Sequence, residues 1–117
     1  MSKIVSFSIP AATGAGTVWI PVDATYTVLG FYVTPSTAPG GTSTVTVTSG
    51  TADLGAAAIG ATDAAGTVTS ATMSSTLATR KTIVSPTVPL KIVVDARSNS
   101  CAIFGTIKLD EFALQRD

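Results

Sequence analysis

The chain has no histidine and only one cysteine, and each scarcity excludes a class of function. Histidine is the commonest general base and transition-metal ligand, so triads of the Ser-His-Asp or Cys-His type are impossible here. The single cysteine, Cys101, excludes an intrachain disulfide, and stability has to come from packing or oligomerisation. Because Cys101 alternates with Ile103 and Ile107, we expect it to be a small buried hydrophobe and not a reactive thiol.

Charged residues are also scarce, at 12% of the 117 residues, with seven basic and seven acidic side chains and a formal net charge of zero. An ordinary globular chain has about 25%. The basic residues are dispersed, whereas nucleic-acid binding needs clustered Lys and Arg, so no nucleic-acid partner is expected. A neutral surface repels its own copies only weakly, and this favours association with itself or with a partner.

The motifs of catalysis and cofactor binding are missing as well. There is no nucleophile elbow, no S-x-x-K arrangement and no phosphate-binding glycine loop, and the acidic residues have no site-like spacing. Calcium is the one metal that the side chains could hold, through a loop such as "ATDAAG". The simpler interpretation is that Asp23, Asp53 and Asp63 cap turns. We therefore expect a protein that is not an enzyme and has no cofactor and no metal site.

Short alternating apolar segments separated by turn residues recur along the chain, and none has a helical period. The pattern predicts a single all-β domain over residues 1–117, an antiparallel β-sandwich of jelly-roll type. The nine expected strands span residues 4–9, 17–22, 26–34, 43–48, 53–59, 67–73, 81–84, 90–94 and 101–109. No apolar run is long enough to cross a membrane, and Ser6, Ser8 and Pro10 interrupt the one run that resembles a secretory signal. We therefore expect synthesis and folding in a reducing cytoplasm, with no membrane partner.

Three segments predict local detail. Pro21 cannot donate a ladder hydrogen bond, so its strand should lie at a sheet edge or bend there. The alanine- and glycine-rich residues 51–66 favour a narrow strand that admits a close neighbour, followed by a loop. Residues 96–100, "ARSNS", are typical of a polar hairpin loop between two apolar strands.

The stretch "DATYTVLGFYVTP" is apolar on both of its alternating faces. Strict alternation places Leu29, Phe31 and Val33 on one face, which we assign to the core. The other face needs a second contact, and we expect it, together with the edge that carries Trp19, to form an assembly surface. The residues of this predicted surface are Trp19, Tyr26, Val28 and Tyr32.

The order of segments over residues 25–112 supplies a resemblance. "DATYTVLGFYVTP", a Gly/Pro loop, "TSTVTVTSGT", an Ala/Gly stretch, "TMSSTLATRKTIV" and "PLKIVVDARSNSCAIFGTIKLDEF" follow one another. This order resembles small β-rich virion proteins of tailed bacteriophages, specifically capsid decoration or cement proteins. The resemblance implies a homo-oligomer, a dimer or a trimer, on the capsid exterior that binds the major capsid protein and fastens neighbouring capsomers.

Two other classes remain open from the residues alone. A carbohydrate- or receptor-binding module of a phage tail or surface structure would use exposed aromatics, for which Trp19, Tyr26 and Tyr32 are the candidates. An enzyme would need carboxylates that converge in a pocket. A shared exposed patch of the three aromatics away from subunit contacts would favour the binding module, and their burial between subunits would exclude it.

Overall fold

Ten β-strands form two antiparallel sheets in the computed structural model, which describes residues 2–22, 26–49, 52–73, 83–84 and 89–111. No helix occurs among these residues. Sheet 1 has the order β1-β10-β3-β6, with β8 also paired to β3, and sheet 2 has the order β2-β9-β4-β5-β7. The strands are β1 (Ser2–Ala12), β2 (Gly16–Ile20), β3 (Tyr26–Pro35), β4 (Ser43–Ser49), β5 (Ala52–Ile59), β6 (Thr69–Ser70), β7 (Thr72–Met73), β8 (Ile83–Val84), β9 (Leu90–Val94) and β10 (Cys101–Glu111).

The two sheets pack face to face as a β-sandwich, which confirms the predicted all-β class. Alternate residues of the long strands point inward, and together they form one buried cluster drawn from both sheets. Each aliphatic side chain that is fully buried in this way stabilises the fold by roughly 1.5–3 kcal/mol. The largest fully buried members are Phe31, Ile9, Ile59, Leu90, Ile92, Ile103, Ile107 and Leu109.

A β-bulge in β3 makes the predicted face assignment wrong on one side of the bulge only: Phe31 and Val33 are in the core as predicted, whereas Leu29 is 45% exposed and Val28 is buried. Gly30 pairs with Lys108 of β10, and Val28 pairs with the next residue, Leu109, so Leu29 is an extra residue with no partner on β10. Such an insertion reverses which face the following residues occupy. Val28 therefore points into the core on one side of the bulge, and Phe31 points into the same core on the other.

The predicted strand over residues 67–73 is divided between the sheets. Ser70 of β6 pairs with Tyr32 in sheet 1, whereas Met73 of β7 pairs with Gly55 in sheet 2. Ala71 lies between them, and its amide donates to the carbonyl oxygen of Phe31 at 2.9 Å. The chain thus crosses from one layer to the other at this side of the sandwich, which a pattern of alternating residues does not reveal.

The alanine- and glycine-rich segment forms β5 and a following loop, as predicted. A Cβ atom on Gly55 would lie 2.6 Å from the Met73 sulfur and 3.1 Å from the Thr72 carbonyl oxygen. The absent side chain is therefore what allows β7 to approach β5. The close neighbour of this narrow strand belongs to the same chain.

The residues between β9 and β10 are not a hairpin loop, because β9 lies in sheet 2 and β10 in sheet 1. Arg97 in this connection is buried, and its guanidinium donates to three main-chain carbonyls. Nε lies 3.0 Å from the oxygen of Gly14, and Nη1 lies 2.8 Å from that of Pro10 and 2.7 Å from that of Cys101. Arg97 therefore fastens the β1–β2 loop to the start of β10.

Cys101, the first residue of β10, is fully buried, as predicted. Its Sγ lies 3.2 Å from the carbonyl oxygen of Thr37, within hydrogen-bonding distance for a thiol. Its own carbonyl accepts the Arg97 hydrogen bond. The thiol thus faces the β3–β4 loop from inside the sandwich.

Candidate functional site

The four residues of the predicted assembly surface do not share one surface. Tyr26 and Val28 are each 7% exposed and belong to the core, so their placement on an outer face is wrong, and the bulge at Leu29 is the reason. Trp19 and Tyr32 are exposed, at 57% and 52%. They lie on different sheets, Trp19 on β2 and Tyr32 on β3, so the structure offers two candidate surfaces.

The first candidate surface is the free edge of β2, which we call the β2 edge (residues 16–20). Strand β2 pairs with β9 on one side, and no described strand pairs with its other side. The strand ends at Ile20, directly before Pro21, so the prediction that Pro21 marks an edge is confirmed. Trp19 stands on the outer face here, and the Lys91 Nζ lies 5.1 Å from the centre of its ring.

Among the described edge strands, β2 has the least protection against pairing with another chain. Natural edges are blunted by charged residues, proline, bulges or very short length. The other edge of this side, β1, contains Lys3 and Pro10 and has a register shift between Ile9 and Ala12. The edges at the opposite side, β6, β7 and β8, have two residues each. Strand β2 has five residues with no charge and no proline.

The second candidate surface is a groove of about 710 Å³ on the outer face of sheet 1. We call it the sheet 1 groove. Its outward-pointing side chains come from β1, β3 and β10 and from the residue before β6. They are Ser6, Ser8, Tyr32, Thr34, Val68, Phe104 and Thr106.

The strand register explains how the two aromatic rings of the groove come together. Phe104 lies opposite Thr34, and Thr106 lies opposite Tyr32, so Phe104 and Tyr32 are diagonal neighbours on adjacent strands. Diagonal side chains on one face are close enough for rings to contact a common ligand. Phe104 is 46% exposed, and sequence reasoning missed it. The available signal was its position out of phase with Ile103 and Ile107.

The groove is uncharged. None of the described residues that line it carries a charge. Lys108 lies one outward position further along β10, opposite Ile4 and Gly30. The side-chain oxygen of Thr34 is buried and has no hydrogen-bond partner among the described residues.

The described residues contain no group of three or more side chains that could hold a metal ion. Asp63, in the loop considered for calcium, accepts a hydrogen bond from the Gly60 amide at 2.9 Å, and its own amide donates to the Gly60 carbonyl at 3.1 Å. This confirms the turn-capping role for Asp63. Asp23 lies outside the described residues, as does the side chain of Asp53. No described helix is long and apolar enough to span a membrane.

Comparisons of the chain with protein family models, with curated proteins and with solved structures find no match. The features that bear on function are therefore the β2 edge, the sheet 1 groove and the chemistry of their residues.

Proposed function

We propose that the protein is a non-enzymatic structural protein of a phage virion that decorates the capsid between capsomers and stabilises it. The observation that carries the proposal is the β2 edge, a charge-free strand with one unpaired side and an exposed tryptophan. Such an edge is a template for pairing with another chain. The resemblance of residues 25–112 to decoration proteins supports the same role.

The proposal includes a jelly-roll topology for the sandwich. First and last strands pair in sheet 1 (β1 with β10), and second and second-last strands pair in sheet 2 (β2 with β9). Strands β4 and β5, in the middle of the chain, pair with each other. This nesting is what a long hairpin rolled across two sheets produces, and jelly rolls serve in viral capsids and in lectins.

The β2 edge fits a second copy of this chain. The strand has two residues on each side of Val18, so two antiparallel copies can pair around a twofold axis at that residue. Alternate residues of each edge would then exchange backbone hydrogen bonds, and Trp19 of one copy would lie beside Thr17 of the other. Pairing extends sheet 2 across the dimer and leaves both outer faces of the sandwich for capsid contact.

The aromatic patch that the sequence suggested for the carbohydrate-binding alternative is not formed. Tyr26 is in the core, and Trp19 and Tyr32 lie on different sheets. The three aromatics therefore do not form one exposed patch.

A Trp19→Lys variant tests the self-association. A charge on the outer face of an edge strand opposes edge pairing, so we expect the dimer dissociation constant to rise by at least about tenfold. Size-exclusion chromatography with light scattering over a range of concentrations measures it. Tyr32→Lys, an equally exposed aromatic on the other sheet, is the matched control and should leave the dimer unchanged.

The capsid role has its own test. Capsids assembled from the major capsid protein of the encoding phage are sedimented with and without the purified chain. Saturable co-sedimentation and a higher capsid melting temperature are expected. A chain that is monomeric at every concentration and never sediments with capsids would refute the proposal.

A further inference from the structure

We infer that the sheet 1 groove binds a neutral saccharide, with Tyr32 and Phe104 as the stacking rings. The inference does not depend on the capsid role, since the groove and the β2 edge lie on different sheets. Of the aromatic patch that the sequence suggested, it keeps only Tyr32 and adds Phe104.

The groove joins two exposed rings to a set of hydroxyl groups on one face. Ser8 lies opposite Phe104, which in turn lies opposite Thr34. In the next row, Ser6 lies opposite Thr106, which lies opposite Tyr32. Each of the two rows thus contains one ring and two short hydroxyl residues, and the short residues leave room beside each ring.

A sugar ring has the matching chemistry. Its C–H face is apolar and packs on an aromatic ring, while its hydroxyls both donate and accept hydrogen bonds, as those of Ser6, Ser8 and Thr106 do. Ligand sites of this kind combine apolar walls with a few polar groups that fix orientation.

The lining also disfavours two other occupants, an apolar protein segment and an anion. An apolar side chain of a protein partner, or of a second copy, would cover the serine and threonine hydroxyls without offering them a hydrogen bond, and buried unpaired hydroxyls are costly. An anionic ligand would have no cation among the described lining residues. A neutral polyol satisfies both conditions.

The test is a titration of the ¹⁵N-labelled chain with maltotriose, cellotriose and chitotriose, followed by amide chemical shifts. We expect at least one of the three to shift amides of β1, β3 and β10 around the groove. Tyr32→Ala and Phe104→Ala should each weaken that binding by about tenfold, a typical loss for a stacking ring. Circular dichroism establishes that each variant is folded.

Matched variants make the result specific. Phe104→Tyr keeps a ring and should keep the affinity. Ile4→Ala removes a large exposed side chain from the same face outside the groove and should have no effect. Lys108→Gln should also leave binding of the neutral sugar unchanged.

Several outcomes would overturn the inference. One is the absence of groove shifts with all three sugars, and another is unchanged affinity in both alanine variants. Groove shifts that follow protein concentration without sugar would assign the groove to a second copy. Loss of binding in Lys108→Gln, with preference for a sulfated sugar, would assign an anionic ligand. Trp19→Lys should leave sugar binding intact, so failure of the dimer proposal is distinguishable from failure of this one.

Discussion

At the scale of single residues, Gly105 shows how closely the inner face of sheet 1 is packed. It lies opposite Phe7 on β1, and the ring of Phe7 occupies the space that a side chain at position 105 would need. A Cβ there would also lie 2.7 Å from the Tyr32 carbonyl oxygen. Glycine at this position therefore lets an aromatic ring lie over the inner side of the β10 backbone, the strand whose outer side supplies Phe104 to the groove.

We predict that Gly105→Ala destabilises the fold by about 1–3 kcal/mol, because the new methyl group overpacks against a ring and a backbone atom. Urea unfolding measures the change. Gly30→Ala is the matched control, since a Cβ on Gly30 would meet no heavy atom of the described residues within 4 Å. That substitution should be neutral or stabilise by up to about 1 kcal/mol. Equal losses for the two variants would contradict the packing described here.

At the scale of elements, the bulge in β3 decides which side chains stabilise the core. Val28 is buried, whereas its neighbour Leu29 is 45% exposed. Val28→Ala should cost about 2 kcal/mol, from lost burial and a residual cavity, and Leu29→Ala should cost less than about 0.5 kcal/mol. Thermal unfolding of the two variants measures the difference. If Leu29→Ala proves the more costly change, strict alternation describes the strand better than a bulge.

The sequence predicted the elements well and their faces less well. Turn residues and period-two alternation located the strands, because these signals are local. A bulge is a single extra residue set by pairing with another strand, and its one local signal is the glycine that follows, Gly30 after Leu29, because a glycine inside a strand pattern often marks a bulge. The same holds at Leu54, where the register of β5 shifts against β4.

The site residues were also predicted correctly where the signal is local and wrongly where it depends on a neighbouring strand. Trp19 was found because Pro21 marks an edge by its own chemistry. Tyr26 was misplaced because its face depends on β10, and Phe104 was missed because its exposure depends on a neighbouring strand. Arg97 resembled a loop residue, and two of its three carbonyl partners, those of Pro10 and Gly14, lie at distant positions in the chain.

At the scale of the whole molecule, the first described strand, β1, pairs with the last, β10, so the two ends of the described chain meet in sheet 1. Strand β10 lies between β1 and β3, so sheet 1 cannot be completed before the last described strand is in place. Pairings this distant in sequence slow folding, and we expect the sheets to form and open cooperatively.

The rate at which the Cys101 thiol is alkylated measures how often this end of the sandwich opens. The thiol sits at the start of β10, fully buried under the β3–β4 loop, so an alkylating reagent reaches it only when that end of the sandwich opens. We predict that the logarithm of the iodoacetamide labelling rate rises in Gly105→Ala in proportion to its loss of unfolding free energy, about tenfold for each 1.4 kcal/mol, and that the rate stays unchanged in Phe104→Ala unless that variant is also destabilised. Mass spectrometry at successive times measures the labelling rate of both variants. Labelling of the native protein at the rate of a free thiol would show instead that this end opens without unfolding of the whole sandwich. The labelling rate would then measure local opening of the loops around Cys101.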